Sequence, residues 1–160
     1  MSSDSVPEGF ELMPEGLAYS DCLQPYYRRV GENKELMFGL RVLDQHCNLM
    51  GICHGGALMT LADIAAASTV SSQLEEPRGL PTVSLSFDFI APGRKGSWLQ
   101  THTDHVEMKR RFGFCSGVIR DGDHDDRIIA RYSGTFYIPD HLGVWKDDAG
   151  RAAAAKIFSA

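Results

Sequence analysis

Two hydrophobic periods divide the chain. From Ala57 to Gln73 there is no Gly, no Pro and a single charge, Asp63. Leu58, Leu61 and Ala65, with Ala62, Ala66 and Val70, cover most of a helical circumference. The stretch is long enough for a globular helix and too interrupted for a membrane span. A helix that is apolar nearly all round is buried on most sides, so a central helix wrapped by a sheet is expected. Pro77, Gly79 and Pro81 stop anything helical, and the period then changes to two. Val83, Leu85, Phe87 and Phe89 alternate with Thr82, Ser84, Ser86 and Asp88, which predicts a half-buried strand.

Three more strands follow in Ser97 to Met108, Phe112 to Arg120 and Arg127 to Ile138, with an acidic hairpin loop from Asp121 to Asp126. Before the helix, Leu36 to Leu43 reads as a strand and Asp44 to Gly51 as a loop. Phe10 to Leu23 has room for a short strand and a connector, and Pro25 to Arg29 is ambiguous. One or two strands, a long helix and four hairpin-linked strands give an α+β fold, an antiparallel sheet around one helix. Residues 1–35 are expected to form an N-terminal extension, 36–138 the domain proper and 139–160 a tail. The alanine run 152–155 suits a short surface helix or a disordered segment.

Two features of the helix are not explained by packing. A carboxylate in a buried helix costs several kcal/mol unless it is paired or neutral, which singles out Asp63. The helix entry is Cys53-His54-Gly55-Gly56, where Ser, Thr, Asp or Asn would ordinarily cap the free N–H groups. Open N–H groups at the positive end of a helix suit a developing anion. An oxyanion site and a carboxylate two turns along one helix are what acyl transfer needs. They stand roughly 12 Å apart along the axis, too far for one carbonyl to touch both in one chain. A two-fold partner can bring its helix start beside Asp63.

Asn48, His54-Gly55-Gly56 and Asp63 together spell N-x5-H-G-G-x6-D. This resembles the motif of hotdog-fold acyl-CoA thioesterases of the phenylacetate-pathway and 4-hydroxybenzoyl-CoA type, and the strand pattern from about Leu36 to Ile138 is compatible with that fold. The resemblance implies an acyl-CoA substrate, with coenzyme A as part of that substrate and no separate cofactor. It also implies a homodimer or dimer of dimers in which the carboxylate and the Asn-His-Gly-Gly loop meet across the interface. By resemblance Asp63 is the general base or the nucleophile, the Gly55 N–H is the oxyanion donor, and Asn48 positions the water or the carbonyl. His54 would orient the turn rather than act as the base, and Thr82 matches a Ser or Thr that assists in relatives. Gly56, Val83 and Ser84 are expected beside the substrate. Arg111-Phe112-Gly113 resembles the family's basic-aromatic-Gly segment near the nucleotide, and Arg110 with Arg111 would contact its phosphates. Phe87, Phe89, Met59 and Phe114 would suit either an aryl or an aliphatic pocket.

Two other functions on this fold are weighed against hydrolysis. A transcriptional acyl-CoA sensor would carry a helix-turn-helix, and no segment before Leu36 reads as one. A dehydratase needs a His facing a carboxylate, whereas His54 lies in a Gly-Gly turn.

Composition narrows the reading further. The length of 160 residues suits one domain, and a net charge of −5 argues against nucleic-acid binding. No basic segment with a following apolar run opens the chain, so no signal peptide and no membrane association are expected. The four cysteines form no CxxC pair, which favours the reduced cytoplasm. The acidic loop lacks the Gly and Glu of a calcium loop. His102, Asp104 and His105 do not share one strand face. Cys53 beside His54 is expected to pack rather than attack.

Overall fold

Helix α1, Gly55–Ser72, lies on a seven-stranded antiparallel sheet and touches five of its strands. The computed structural model describes residues 5–141 and 147–159. The strands are β1 (Glu11–Leu12), β2 (Tyr26–Val30), β3 (Leu36–Arg41), β4 (Thr82–Phe89), β5 (Trp98–Met108), β6 (Phe112–Asp121) and β7 (Arg127–Tyr137). Their spatial order is β1-β2-β3-β5-β6-β7-β4. A second helix, α2, spans Asp148–Phe158. This is the α+β hotdog arrangement, a sheet wrapped on a central helix.

Small residues let helix and sheet approach. Ala62, Ala65 and Ala66 are fully buried on α1. On β6, a Cβ placed on Gly113 would overlap the Cγ1 of Val70. The far end of α1 is stitched to the sheet by Thr69, whose Oγ1 accepts from the Leu36 N–H at 3.1 Å. Large side chains then fill the remaining space, with Tyr26, Phe38, Leu61, Leu99, Ile119 and Phe136 all below 2 % exposed. A smaller cluster of Phe10, Met37 and Trp98 packs separately from this core.

Two expectations about the strands need correction. Three strands precede α1, because both Glu11–Leu12 and Tyr26–Val30 join the sheet edge. The strands after α1 are not all hairpin-linked either. β4 pairs with β7 at the far edge, and the chain then crosses to β5, which pairs with β3 and β6. Alternation reports which face a side chain takes, not which strand lies beside it. The acidic hairpin loop has a structural use: the Asp121 carboxylate is fully buried and accepts from the Asp123 N–H at 3.1 Å, while Asp123 accepts from the Trp98 N–H at 2.9 Å.

The loop between β3 and α1 is organised by His46, which the sequence did not single out. Its buried imidazole accepts from the Leu43 N–H at Nδ1 (3.0 Å) and donates to the Leu23 carbonyl from Nε2 (3.1 Å). Its own carbonyl accepts the His54 N–H at 2.7 Å. Burial holds this imidazole below its ordinary pKa. The unfolded chain therefore takes up a proton that the folded chain refuses, so the His46 contribution is complete above the ordinary histidine range and is lost as pH falls through it. His46→Ala should cost about 1–3 kcal/mol for each buried group left unpaired. Thermal melts should show this loss at pH 8 and a smaller one near pH 5.5. An equal loss at both values would mean that His46 is not held neutral.

Candidate active site

The entry to α1 is built by hydrogen bonds of Asn48, Cys53 and His54. The Asn48 Oδ1 accepts from the Met50 N–H at 2.9 Å and the Ile52 N–H at 3.4 Å, closing the loop on itself. The Cys53 N–H bonds the Gly93 carbonyl at 2.8 Å, which ties the loop to the turn after β4. His54 is then the N-cap, and its Nδ1 accepts from the Gly56 N–H at 2.8 Å. Its carbonyl accepts from Ala57 at 2.9 Å and Leu58 at 3.2 Å. Among the hydrogen bonds of the described residues, none uses the Gly55 N–H. A helix start ordinarily leaves four such donors; here three are occupied and one is open.

The two glycines serve different neighbours. A Cβ on Gly56 would stand 3.0 Å from the His54 Nδ1 and crowd the cap. A Cβ on Gly55 would stand 3.0 Å from the ring edge of Phe89, at the end of β4. The open N–H thus lies beside an aromatic ring that is itself 57 % exposed.

Asp63 sits two turns further along α1 and is half-buried. No ion pair reaches it among the described residues. Its Oδ1 accepts from the Thr82 hydroxyl at 2.8 Å, at the other end of β4. Burial pushes the Asp63 carboxyl above its ordinary pKa, and the Thr82 hydroxyl pulls part of the way back. One edge strand therefore connects both polar features of the helix, with Thr82 at the carboxylate and Phe89 at the open donor.

The remaining candidate residues fall on the Asp63 side. Thr82 is opposite Phe136, which is opposite Gly113, so two strand spacings of roughly 10 Å separate Thr82 from Gly113. Gly113 packs on Val70, fifteen residues past Gly55, or roughly 22 Å along the axis. Arg110 to Gly113 are therefore remote from the Gly55 of their own chain. Arg111 bonds the Tyr137 hydroxyl at 3.0 Å and pairs with Asp140 at 3.1 Å. Arg110 is exposed and has no such partner among the described residues.

The expected half-burial of β4 holds at Leu85 and Phe87, which pack on the core, and fails at Val83 and Phe89. The register shifts between Thr82 and Ser84, so Val83 is an extra residue in the ladder and is 57 % exposed. Ser84, Phe89 and Ile90 are also exposed, as are Phe112 and Phe114. β4 is the last strand of the sheet, and its outer edge has no partner among the described residues. Leu49 and Met50, in the Asn48 loop, stand in solvent too.

Other groups are set aside by their surroundings. Burial pushes the Cys53 thiol up to about 12, which keeps it protonated at neutral pH. Among the described residues no three His, Cys, Asp or Glu side chains gather as a metal site. No described helix is long and apolar enough to cross a membrane.

Known proteins resemble this chain in sequence and in fold. The thioesterase superfamily model matches residues 50–128. A Pseudomonas aeruginosa protein provisionally named an esterase is 35% identical over 135 residues, which cover 84% of this chain and 98% of that protein. Zebrafish thioesterase superfamily member 2 superposes with a TM-score of 0.66 at 16% identity, covering 76% of this chain and 86% of that one. A Bacillus halodurans protein solved with CoA gives 0.63 at 22% identity, over 71% of this chain and 74% of its own. These two structural likenesses are likenesses of fold.

The Asp63 environment has a consequence for stability. The folded chain holds a proton on Asp63 at pH values where the unfolded chain has lost it, so this group lowers stability as pH rises from the ordinary carboxylate range through the raised value. Asp63→Asn removes that cost. The variant should melt above the wild type at pH 7, and the gap should close as pH approaches about 4. A variant that melts below the wild type at pH 7 would contradict the assigned environment.

Proposed function

The chain belongs to the hotdog-fold thioesterase superfamily, and on that premise we propose that it hydrolyses an acyl-coenzyme A thioester to the free acid and coenzyme A. The observation that carries the reading is the pairing of one open N–H, at Gly55, with one half-buried carboxylate, at Asp63, on a helix whose other polar ends are occupied. A non-catalytic sensor would have no use for a carboxyl held above its ordinary pKa by burial, whereas a general base gains proton affinity from it.

The reaction places the thioester carbonyl oxygen on the Gly55 N–H, at the positive end of α1. Asp63 takes a proton from water as the water oxygen attacks the carbonyl carbon, or attacks that carbon itself to form an anhydride that water then opens. The C–S bond breaks and the sulfur leaves as thiolate, which collects a proton. Thr82 holds one carboxylate oxygen and leaves the other for the reaction. His54 and Asn48 act as positioning residues, since their hydrogen bonds shape the loop that presents Gly55. In the shared site Gly56 would border the thioester beside Gly55, and Val83 and Ser84 would border it beside Asp63.

Gly55 acts with the partner subunit's Asp63 in this proposal. The roughly 12 Å rise between the two positions supports a site shared between chains over one within a single chain. The unpaired edge of β4 and the uncovered Leu49, Met50, Val83 and Phe89 support a homodimer, alone or as a dimer of dimers, because an open apolar edge strand otherwise invites aggregation. The same pairing would carry Arg110, Arg111 and Phe112 toward the loop that holds Gly55, where a guanidinium suits a coenzyme A phosphate. The CoA bound in the Bacillus halodurans relative supports that choice of substrate. Four free cysteines suit the reducing cytoplasm.

The test is thiol release from a panel of aryl and aliphatic acyl-CoA esters. The wild type should release coenzyme A from at least one of them. Asp63→Asn should lower kcat by about 10²–10⁴-fold with little change in KM. Background hydrolysis across the whole panel would replace the enzyme with the sensor.

A further inference from the structure

A cavity of about 680 Å³ lies between α1, the turn Ala18–Leu23 and α2. We infer that it receives the acyl carbon chain of the substrate, so that the C-terminal helix sets the acyl length the protein accepts. The inference rests on the thioesterase reading and adds the substrate class to it.

Proximity to Asp63 is the first support. Ala67 lines the cavity and lies one helical turn past Asp63 on the same face, a rise of roughly 6 Å. Leu80 lines it from the other side, two residues before the Thr82 that holds the Asp63 carboxylate. A carbonyl carbon placed at Asp63 would thus have the cavity one turn further along α1, away from the helix start. An acyl chain would run there while the coenzyme A arm leaves elsewhere.

The chemistry of the wall is the second support. Four of its polar residues direct hydrogen bonds into the wall itself. The Asp21 carboxylate accepts from Gly16 and Leu17 at 2.9 and 3.0 Å. The Ser71 hydroxyl donates to the Arg78 carbonyl at 2.7 Å and accepts its N–H at 2.8 Å. The Arg78 guanidinium donates to the Pro139 carbonyl at 3.1 Å, and Asp147 caps α2 through the Gly150 N–H at 2.7 Å. Leu17, Ala67, Leu80, Ala153, Ile157 and Phe158 give the space an extensive apolar face, to which Glu15, Ser20 and Ser68 add polar groups. Such a wall favours an uncharged hydrocarbon, and the volume lies within the range of small-molecule sites.

The outer wall is fixed rather than loosely laid on. Ala154 is buried, and Ile157 and Phe158 pack against the main core. The buried Arg28 guanidinium bonds the Ser159 carbonyl at 2.6 Å just past the end of α2. Any change of side-chain size on the inner face of α2 therefore changes the space.

The test uses the full chain and straight-chain acyl-CoA esters from acetyl to hexadecanoyl. Wild-type kcat/KM should rise by about fourfold per methylene until the cavity is filled. Ala153→Trp should lower the ratio of decanoyl to butyryl kcat/KM by tenfold or more, and Ile157→Ala should move the optimum to longer chains. Should the Trp variant not fold, Ala153→Leu is read in its place, with a smaller drop of the same sign. An identical profile in all proteins, or a loss by one factor at every length, overturns the inference. If the wild type hydrolyses none of the esters, the thioesterase reading fails on its own. Calorimetry then compares decanoyl-CoA with free coenzyme A, and the inference stands only if the wild type prefers the ester and Ala153→Trp loses that preference.

Discussion

The distance along one rigid helix governs everything else in this molecule. Gly55 and Asp63 are carried by α1, and their separation of roughly 12 Å follows from helical rise alone. Nothing local can shorten it. Ala62, Ala65 and Ala66 are sealed against the sheet, Val70 is seated on Gly113, and Thr69 bonds both backbone groups of Leu36. In the proposed dimer, a helix held this firmly presents its open donor and its carboxylate as two half-sites. The structure around each half-site then reads as preparation for a second chain: an edge strand with no outer neighbour and apolar residues without cover.

The polar groups show how selectively the site is left unsatisfied. His54 turns its imidazole back onto the Gly56 N–H and uses its carbonyl for two further donors. That economy leaves Gly55 alone open, beside the Phe89 ring. At the other half-site, burial lifts the carboxyl pKa while one hydroxyl from Thr82 fixes its geometry. A base strengthened by partial desolvation costs stability, and active sites commonly carry such a cost. The buried His46 and the self-bonded Asn48 loop hold the donor end in place from below.

Much of this was legible in the sequence, and the reasons are particular. The apolar run without Gly or Pro gave α1, and alternation gave β4 and β7, each to within about two residues. The Asn-His-Gly-Gly-Asp spacing identified the family. The path of the chain was harder: alternation in Thr82 to Phe89 does not say that β4 lies beside β7. The bulge at Val83 was also hidden, since an inserted residue leaves local composition unchanged. Tyr26–Val30 pairs with β3 through backbone groups that side-chain periodicity does not report. His46 was invisible because a lone loop histidine becomes structural only through partners distant in sequence, Leu23 among them.

The shared site is tested most directly by mixing two inactive chains. Asp63→Asn removes the base, and Asn48→Ala removes the oxygen that closes the loop presenting Gly55. The two proteins are unfolded together and refolded as an equal mixture, with exchange confirmed by mass. Random pairing puts about half of the dimers in the mixed class, where one site carries both changes and the other carries neither, so about a quarter of wild-type thioester hydrolysis should return. Mixed dimers that recover no activity would place both residues in one chain and contradict the account.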